Sequence, residues 1–557
     1  MKKHSVSGTS EKGGKSFISG VFVLSLSTFI VKFIGLAYKI PMMSLLGAEG
    51  MGYFNSAYEI YALLCVISTA GLPVALSMLV SAALERGRYQ RVKKIYGTAM
   101  TVFLLLGVSG CLAMTLFSGE ISEWIENPQA YASVVAIAPA LIFVCISSAV
   151  RGYFQGFCRM MPTALSQLIE AVCKLFFGII FAKWALDAGY GIPTAAAAAI
   201  IGLSLGTLLS ALYLLVLKAI DDRKIKREKL SAELGEEKKE RILGTLFKIA
   251  VPITLSSAVL SLTRITDMAL IMKRLQDIGY TSAGANEVYG SYTTLAVPVF
   301  SLIPSLITPI ALALVPQLSA AIERRADGAQ SDVVGSALRI TVLFSLPASM
   351  GISVYAPRIL DLLFPNEAEA AAIAAPLLSL LGISIIFACL ITTTNAILQS
   401  YRKTSKPIIS MAAGALVKIA AAYILIGNEE IGIYGAPIST LLCNITITVI
   451  NLYYINKYVP RTDGVFQTYM KPFAASCVMT VVSFAVYLAV SSLTENLTAA
   501  FIAALPAALL SYLVFALLFG AITKKDMLLL PRGEKLARFF GRLGIWKNEK
   551  NTLARKE

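Results

Sequence analysis

The chain carries about fourteen apolar stretches, most of them near twenty residues long, and that length admits very few folds. An α-helix rises about 1.5 Å per residue, so roughly 20 residues cross the ~30 Å hydrocarbon core of a bilayer. No water bonds backbone amides and carbonyls in that core, and a helix satisfies them within its own segment. The stretches lie at about 17–38, 53–83, 95–117, 131–150, 161–182, 194–217, 246–272, 288–318, 335–356, 372–398, 408–427, 434–456, 470–491 and 497–522. The sequence therefore predicts an all-α integral membrane protein with about fourteen transmembrane helices. Composition agrees: 57% of the 557 residues are hydrophobic and 15% charged, against roughly 25% charged in soluble domains. The first stretch follows Lys2, Lys3, Lys12 and Lys15, as a signal peptide would. It is too long for one, holds Lys32 and lacks a small-residue cleavage site, so it reads as a helix. The second and eighth stretches exceed 30 residues and contain Pro73, and Pro298, Pro304, Pro309 and Pro316. Both are expected to bend or break, with Pro73, Pro298 and Pro304 as gating positions.

A duplication underlies the helices. Ser81-Ala82-Ala83-Leu84-Glu85-Arg86 returns 238 positions later as Ser319-Ala320-Ala321-Ile322-Glu323-Arg324. Gly97-Thr98-Ala99-Met100 matches Gly335-Ser336-Ala337-Leu338 at the same offset. At a slightly larger one, Gln155-Gly156-Phe157 matches Gln399-Ser400-Tyr401, and Lys174 matches Lys418. A repeat of six crossings keeps both copies in one orientation, related by an axis along the membrane normal. The expected order is a cytoplasmic tail 1–16, a first lobe 17–217 (helices 1–6), a charged cytoplasmic linker 218–245 and a second lobe 246–456 (helices 7–12). Helices 13 and 14 follow at 457–522, then a basic amphipathic tail 523–557 lying on the membrane surface.

Charge sets the orientation. Lys and Arg concentrate in alternate connections, while the other connections are acidic (Glu120, Glu123, Glu126; Glu367, Glu369; Glu429, Glu430). The positive-inside rule then puts both termini in the cytoplasm. The net charge of +16 reflects this asymmetry and an attraction to anionic membrane lipids; it makes nucleic acid a poor partner. The eight cysteines form no C-x-x-C pair and His4 is the sole histidine, which leaves a structural metal, a disulfide framework and histidine catalysis unsupported.

Eight ionisable residues fall within the spans: Lys32, Glu59, Glu170, Lys174, Arg264, Asp267, Arg339 and Lys418. Each costs about 2.5–3.5 kcal/mol at a helix centre on insertion scales, so each must pair, reach the surface or line a wet cavity. Glu170 and Lys174, four apart in the favourable order, are expected to form a structural ion pair. Lys418 has Gly414 where the corresponding acid would stand, so it either balances a group on another helix or faces the cavity. Arg339 is expected to extend to the cytoplasmic surface. Lys32 sits near the middle of helix 1 with no acid within a turn, and Lys39 follows two turns later on the same face. Arg264 holds a comparable place on helix 7, with Asp267 three residues on as its alternative partner. Glu59, beside Tyr58, is read as a partner for Lys32 or as a ligand for a coupling cation. Five cations against three acids suit a cavity for an anionic substrate group.

No G-x-x-x-x-G-K-[ST] loop occurs, so no ATP site or other cofactor is expected; Gly47-Ala48-Glu49-Gly50-Met51-Gly52 reads as a turn. Nor is there a Ser/His/Asp or paired-carboxylate arrangement, and an enzyme is not expected. A coupling ion or the membrane potential remains as the driving force; the latter contributes about 2.3 kcal/mol per charge per 100 mV to export of an anion.

Several motifs carry a family resemblance: Leu26-Ser27-Thr28-Phe29, Lys32-Phe33-Ile34-Gly35-Leu36, Leu46-Gly47-Ala48-Glu49-Gly50-Met51-Gly52, Thr69-Ala70-Gly71-Leu72-Pro73-Val74-Ala75-Leu76-Ser77, and Gln155-Gly156 with Pro162. In these the chain resembles the polysaccharide-exporter branch of the multidrug/oligosaccharidyl-lipid/polysaccharide exporter superfamily, and within it the Gram-positive stage V sporulation protein B and lipid II flippase group. The resemblance implies a V-shaped pair of six-helix lobes around a cationic cavity in the bacterial cytoplasmic membrane. It assigns a basic helix-1 position to Lys32, although Val31 replaces the family's preceding hydroxyl residue. An Arg and an Asp late in helix 1 of the Gram-negative flippases correspond to Tyr38 and Lys39. Their helix-8 base has no counterpart in Val288-Tyr289-Gly290-Ser291-Tyr292-Thr293-Thr294.

The implied activity is alternating-access translocation of an undecaprenyl-pyrophosphate-linked saccharide, such as lipid II for peptidoglycan synthesis. Lys32 and Arg264 grip the pyrophosphate with Lys39 and Lys418 adding charge, Glu59 and Asp267 position or release it, and Tyr58 and Tyr292 touch the sugar. The expected partners are the polyprenyl-linked glycan, membrane lipids and cell-wall synthesis enzymes. Two alternatives stand beside this: a drug/cation antiporter of the same superfamily, and a non-transporting scaffold for wall synthesis.

Overall fold

The computed structural model describes residues 8–85, 87–228, 239–323, 327–403, 405–459 and 466–522. The expected amphipathic tail 523–557 lies outside them, as does the middle of the charged linker, 229–238. All regular elements among the described residues are helical. They gather into two compact units, Met1–Thr294 with Ala422–Ile433, and Leu295–Ala421 with Tyr434–Glu557.

The first unit begins with α1 (Gly8–Thr69), 62 residues of helix interrupted once. At about 1.5 Å per residue it spans roughly three hydrocarbon thicknesses, so it cannot be a single crossing. The interruption is Gly47, at φ 66° and ψ 178°, a backbone region that side-chain-bearing residues rarely enter. It separates the expected helices 1 and 2. A second break, at Ala70–Gly71, precedes α2 (Leu72–Glu85) and its Pro73. Gly71 is required there because it packs directly on the Ala250 carbonyl, leaving no room for a Cβ.

The unit continues through α3 (Tyr89–Leu116), α4 (Ser118–Trp124), α5 (Tyr131–Ile137), α6 (Ala140–Gly156), α7 (Met161–Asp187), α8 (Ile192–Glu228), α9 (Lys239–Asp277) and α10 (Ser282–Ser291). Leu76 and Val80 of α2, Ile95 and Phe103 of α3, Ala149 and Phe154 of α6, Leu214 of α8 and Leu246 of α9 bury one another in its core. Gly202 on α8 meets the backbone of α7 at Gly178, the close approach that small residues allow between membrane helices.

A π-helical turn, Tyr292–Ala296, leads from α10 into α11 (Val297–Glu323), and the division between the two units falls inside it. Pro298 follows this turn at once, and Pro304 lies within α11. The second unit adds α12 (Asp327–Leu363), α13 (Ala368–Ser400), most of α14 (Ser405–Ile426), α15 (Gly435–Tyr458), α16 (Lys471–Thr494) and α17 (Leu497–Leu518). Leu318, Val334, Val342, Ile397 and Ile455 build its core, and Tyr355, Tyr487 and Phe501 join α12 to α16 and α17.

Twelve stretches among the described residues are long and apolar enough to cross a membrane. The first, Ser27–Leu84, takes in the latter part of expected helix 1 and all of expected helix 2. The expected seventh span lies in α9, where an apolar stretch runs over Ile242–Leu255 among the described residues.

Arg339 does not reach the surface: it is 2% exposed and bonds Ser336 Oγ at 3.2 Å. It lies 12 residues into α12, about 18 Å from the helix start, too far for its side chain to span.

Candidate functional site

Unit 1 gathers most of its membrane-embedded charge around α1. That helix supplies Lys32, Lys39, Tyr58 and Glu59; α6 supplies Arg151, α7 Glu170 and Lys174, and α9 Arg264 and Asp267. Lys32 is exposed and makes no hydrogen bond or ion pair among the described residues. Lys39 Nζ donates to the Thr293 carbonyl at 2.8 Å, within the π-turn, and the charges of Lys174 and Glu59 act on it.

Arg264 turns to Glu59, the alternative to self-neutralisation by Asp267. Its Nε lies 3.8 Å from Glu59 Oε2, and its Nη2 donates to Ser261 Oγ at 3.0 Å. The contact to Glu59 is an ion pair longer than a hydrogen bond. With its side chain 51% exposed, Arg264 keeps an open face. That face is open to water or to an anion. Asp267 is half-buried one turn further along α9 and has interactions of its own.

The expected Glu170–Lys174 pair does not form. Glu170 Oε2 is taken by Arg151 Nη2 at 2.9 Å, and the same guanidinium bonds Ser166 Oγ at 2.9 Å and Ser210 Oγ at 3.2 Å. Arginine's planar fork matches a carboxylate and nearby hydroxyls together, which a lysine ammonium does not. Lys174 Nζ instead stands 4.8 Å from the centre of the Tyr58 ring and 5.6 Å from that of Tyr38, both within cation–π range.

Tyr292 opens the π-turn and is 4% exposed, so the expected sugar contact there gives way to a packing role. Lys418 is half-buried on α14, in the second unit. Among the described residues no group of three or more His, Cys, Asp or Glu could hold a metal ion.

Sequence reasoning missed Arg151, assigned to a connection, and a buried polar seam. Asn127 and Asn286, both 0% exposed, exchange amide hydrogen bonds of 2.8 and 3.2 Å, and Asn127 also bonds Ser56. Asn55 bonds the hydroxyls of Thr293 and Thr294 at 3.0 and 2.8 Å. Their partners lie far away in sequence, and no local spacing signals them.

Apolar spans, an all-helical fold and charges set inside the membrane define a multi-pass membrane protein of the multidrug/oligosaccharidyl-lipid/polysaccharide exporter superfamily, which includes flippases and exporters. More narrowly, the chain belongs to the family described as polysaccharide biosynthesis protein, which it matches over residues 17–322; it also matches the MatE family over 252–424. It is 25% identical over 481 residues to stage V sporulation protein B of Bacillus subtilis (strain 168), covering 86% of this chain and 90% of that protein. It is also 25% identical over 417 residues to lipid II flippase MurJ of the same organism, covering 72% and 76%. A solved structure of lipid II flippase MurJ, in an inward closed conformation, shares the fold with a TM-score of 0.69 at 15% identity, covering 89% of this chain and 98% of that one.

Proposed function

We propose that the protein is a flippase carrying an undecaprenyl-pyrophosphate-linked saccharide, with lipid II as the cargo, from the inner to the outer leaflet of the bacterial cytoplasmic membrane. Both termini are cytoplasmic in this reading. The observation that carries it is the charge cluster of unit 1, where Lys39, Arg151, Lys174 and Arg264 stand against Glu59 and Glu170, a net of +2. Charges in a low-dielectric setting attract an opposite partner far more strongly than in water. A pyrophosphate offers such a partner, with oxygens suited to charge-assisted bonds. Lys32 and the open face of Arg264 take the phosphates, and Glu59 holds Arg264 until they arrive. The membrane potential favours outward movement of the anionic head by about 2.3 kcal/mol per charge per 100 mV.

The MatE match over residues 252–424 favours a second reading, a drug/cation antiporter. Such a carrier needs a carboxylate free to bind a cation, whereas Glu59 faces Arg264. Depleting the protein in its native host and measuring lipid-linked precursors separates the two. Accumulation of a polyprenyl-linked saccharide on the inner leaflet supports the flippase; sensitivity to cationic drugs with unchanged precursor pools supports the antiporter.

A further inference from the structure

We propose that Lys174 is a phosphate-binding residue of this site, and that Arg151 is the positioning residue that keeps it available. The inference rests on the flippase reading and names a contact which that reading leaves unassigned. Glu170 lies one turn before Lys174 on α7, where an acid and a base at this spacing normally pair. Arg151, entering from α6, occupies the carboxylate at 2.9 Å. The guanidinium is fixed on its other side by Ser166 and Ser210, and Ser210 Oγ is itself held by the Ser166 carbonyl at 3.0 Å. Groups from α6, α7 and α8 thus engage the Glu170 carboxylate with Arg151, while its charge still acts on Lys174 from one turn away.

The ammonium so released has no hydrogen bond among the described residues. It rests on the faces of Tyr58 and Tyr38, which attract its charge but accept none of its three N–H donors. Donors left unused in a membrane-embedded protein are costly unless a ligand or water takes them. Lys39 and Glu59, the charged neighbours along α1, place this ammonium in the same net-positive cluster as Arg264. A phosphate oxygen is the ligand that answers both the unused donors and the surplus charge.

The test is calorimetric titration of the purified full-length protein in detergent with farnesyl pyrophosphate, a short prenyl pyrophosphate. Lys174→Gln is expected to weaken binding on the order of tenfold or more, the loss of one charge-assisted contact. Arg151→Ala is expected to weaken it similarly, because Glu170 then turns to Lys174. In Arg151→Ala/Glu170→Gln the competing carboxylate is gone, and affinity should return to within about threefold of wild type through coupling between neighbours. A purely structural Arg151 would leave this double variant as weak as the single one. That outcome, or unchanged affinity in Lys174→Gln, overturns the inference while wild-type binding leaves the flippase reading standing. Absence of prenyl pyrophosphate binding by the wild type overturns both.

Discussion

Lys39 Nζ reaches the carbonyl of Thr293 at 2.8 Å, so a lysine of α1 satisfies a backbone group inside the π-turn that follows α10. A π-turn disturbs the regular ladder of backbone bonds and often marks a functional joint. Here its polar groups are met from outside the helix, by Lys39 and by Asn55. Lys39→Met is expected to lose a bond to a charged donor and strand the carbonyl, a destabilisation of about 1.5–3 kcal/mol. Denaturation of the purified protein in detergent measures it, and an unchanged midpoint would mean the carbonyl finds another partner.

The Asn127–Asn286 pair makes a separate prediction. Each amide is fully buried and both donate to the other, so removing one strands the other's side-chain carbonyl, while its NH2 group keeps a bond to Ser56 or to the Ser282 carbonyl. Asn286→Ala or Asn127→Ala alone is expected to destabilise by about 1–3 kcal/mol, whereas the double substitution falls well short of the sum. A double-mutant cycle on unfolding midpoints reads the coupling directly; additive losses would show that the two amides act independently.

Glu59 governs the charge offered to a ligand. Its carboxylate stands 3.8 Å from Arg264, whose side chain is half exposed, so solvent screening limits the pair to about 1 kcal/mol or less. Glu59→Gln should therefore tighten farnesyl pyrophosphate binding, by at most about fivefold. The gain should shrink as salt rises. Weaker binding in the glutamine variant would make Glu59 a ligand-positioning group rather than a counter-charge.

Apolar length and special residues made much of the fold legible. The second stretch breaks at Ala70–Gly71, just before Pro73, the eighth turns π-helical just before Pro298, and Gly47 turns the chain between the first two spans. The charged residues were harder to read because their partners come from other helices. Local spacing assigns Glu170 to Lys174, yet Arg151, 19 positions upstream, offers a better-matched donor set. Arg339 looked close enough to a helix end to escape burial until α12 proved to start at Asp327. The same limit hid the asparagine seam, whose halves lie 159 residues apart.

Translocation of lipid II in vesicles reconstituted with purified protein tests the central claim most directly. If membrane-embedded cations grip the anionic head, Lys32→Ala and Arg264→Ala each slow flipping on the order of tenfold or more, the kinetic equivalent of one lost charged contact, in protein that remains folded. Wild-type rates in both variants would contradict the account.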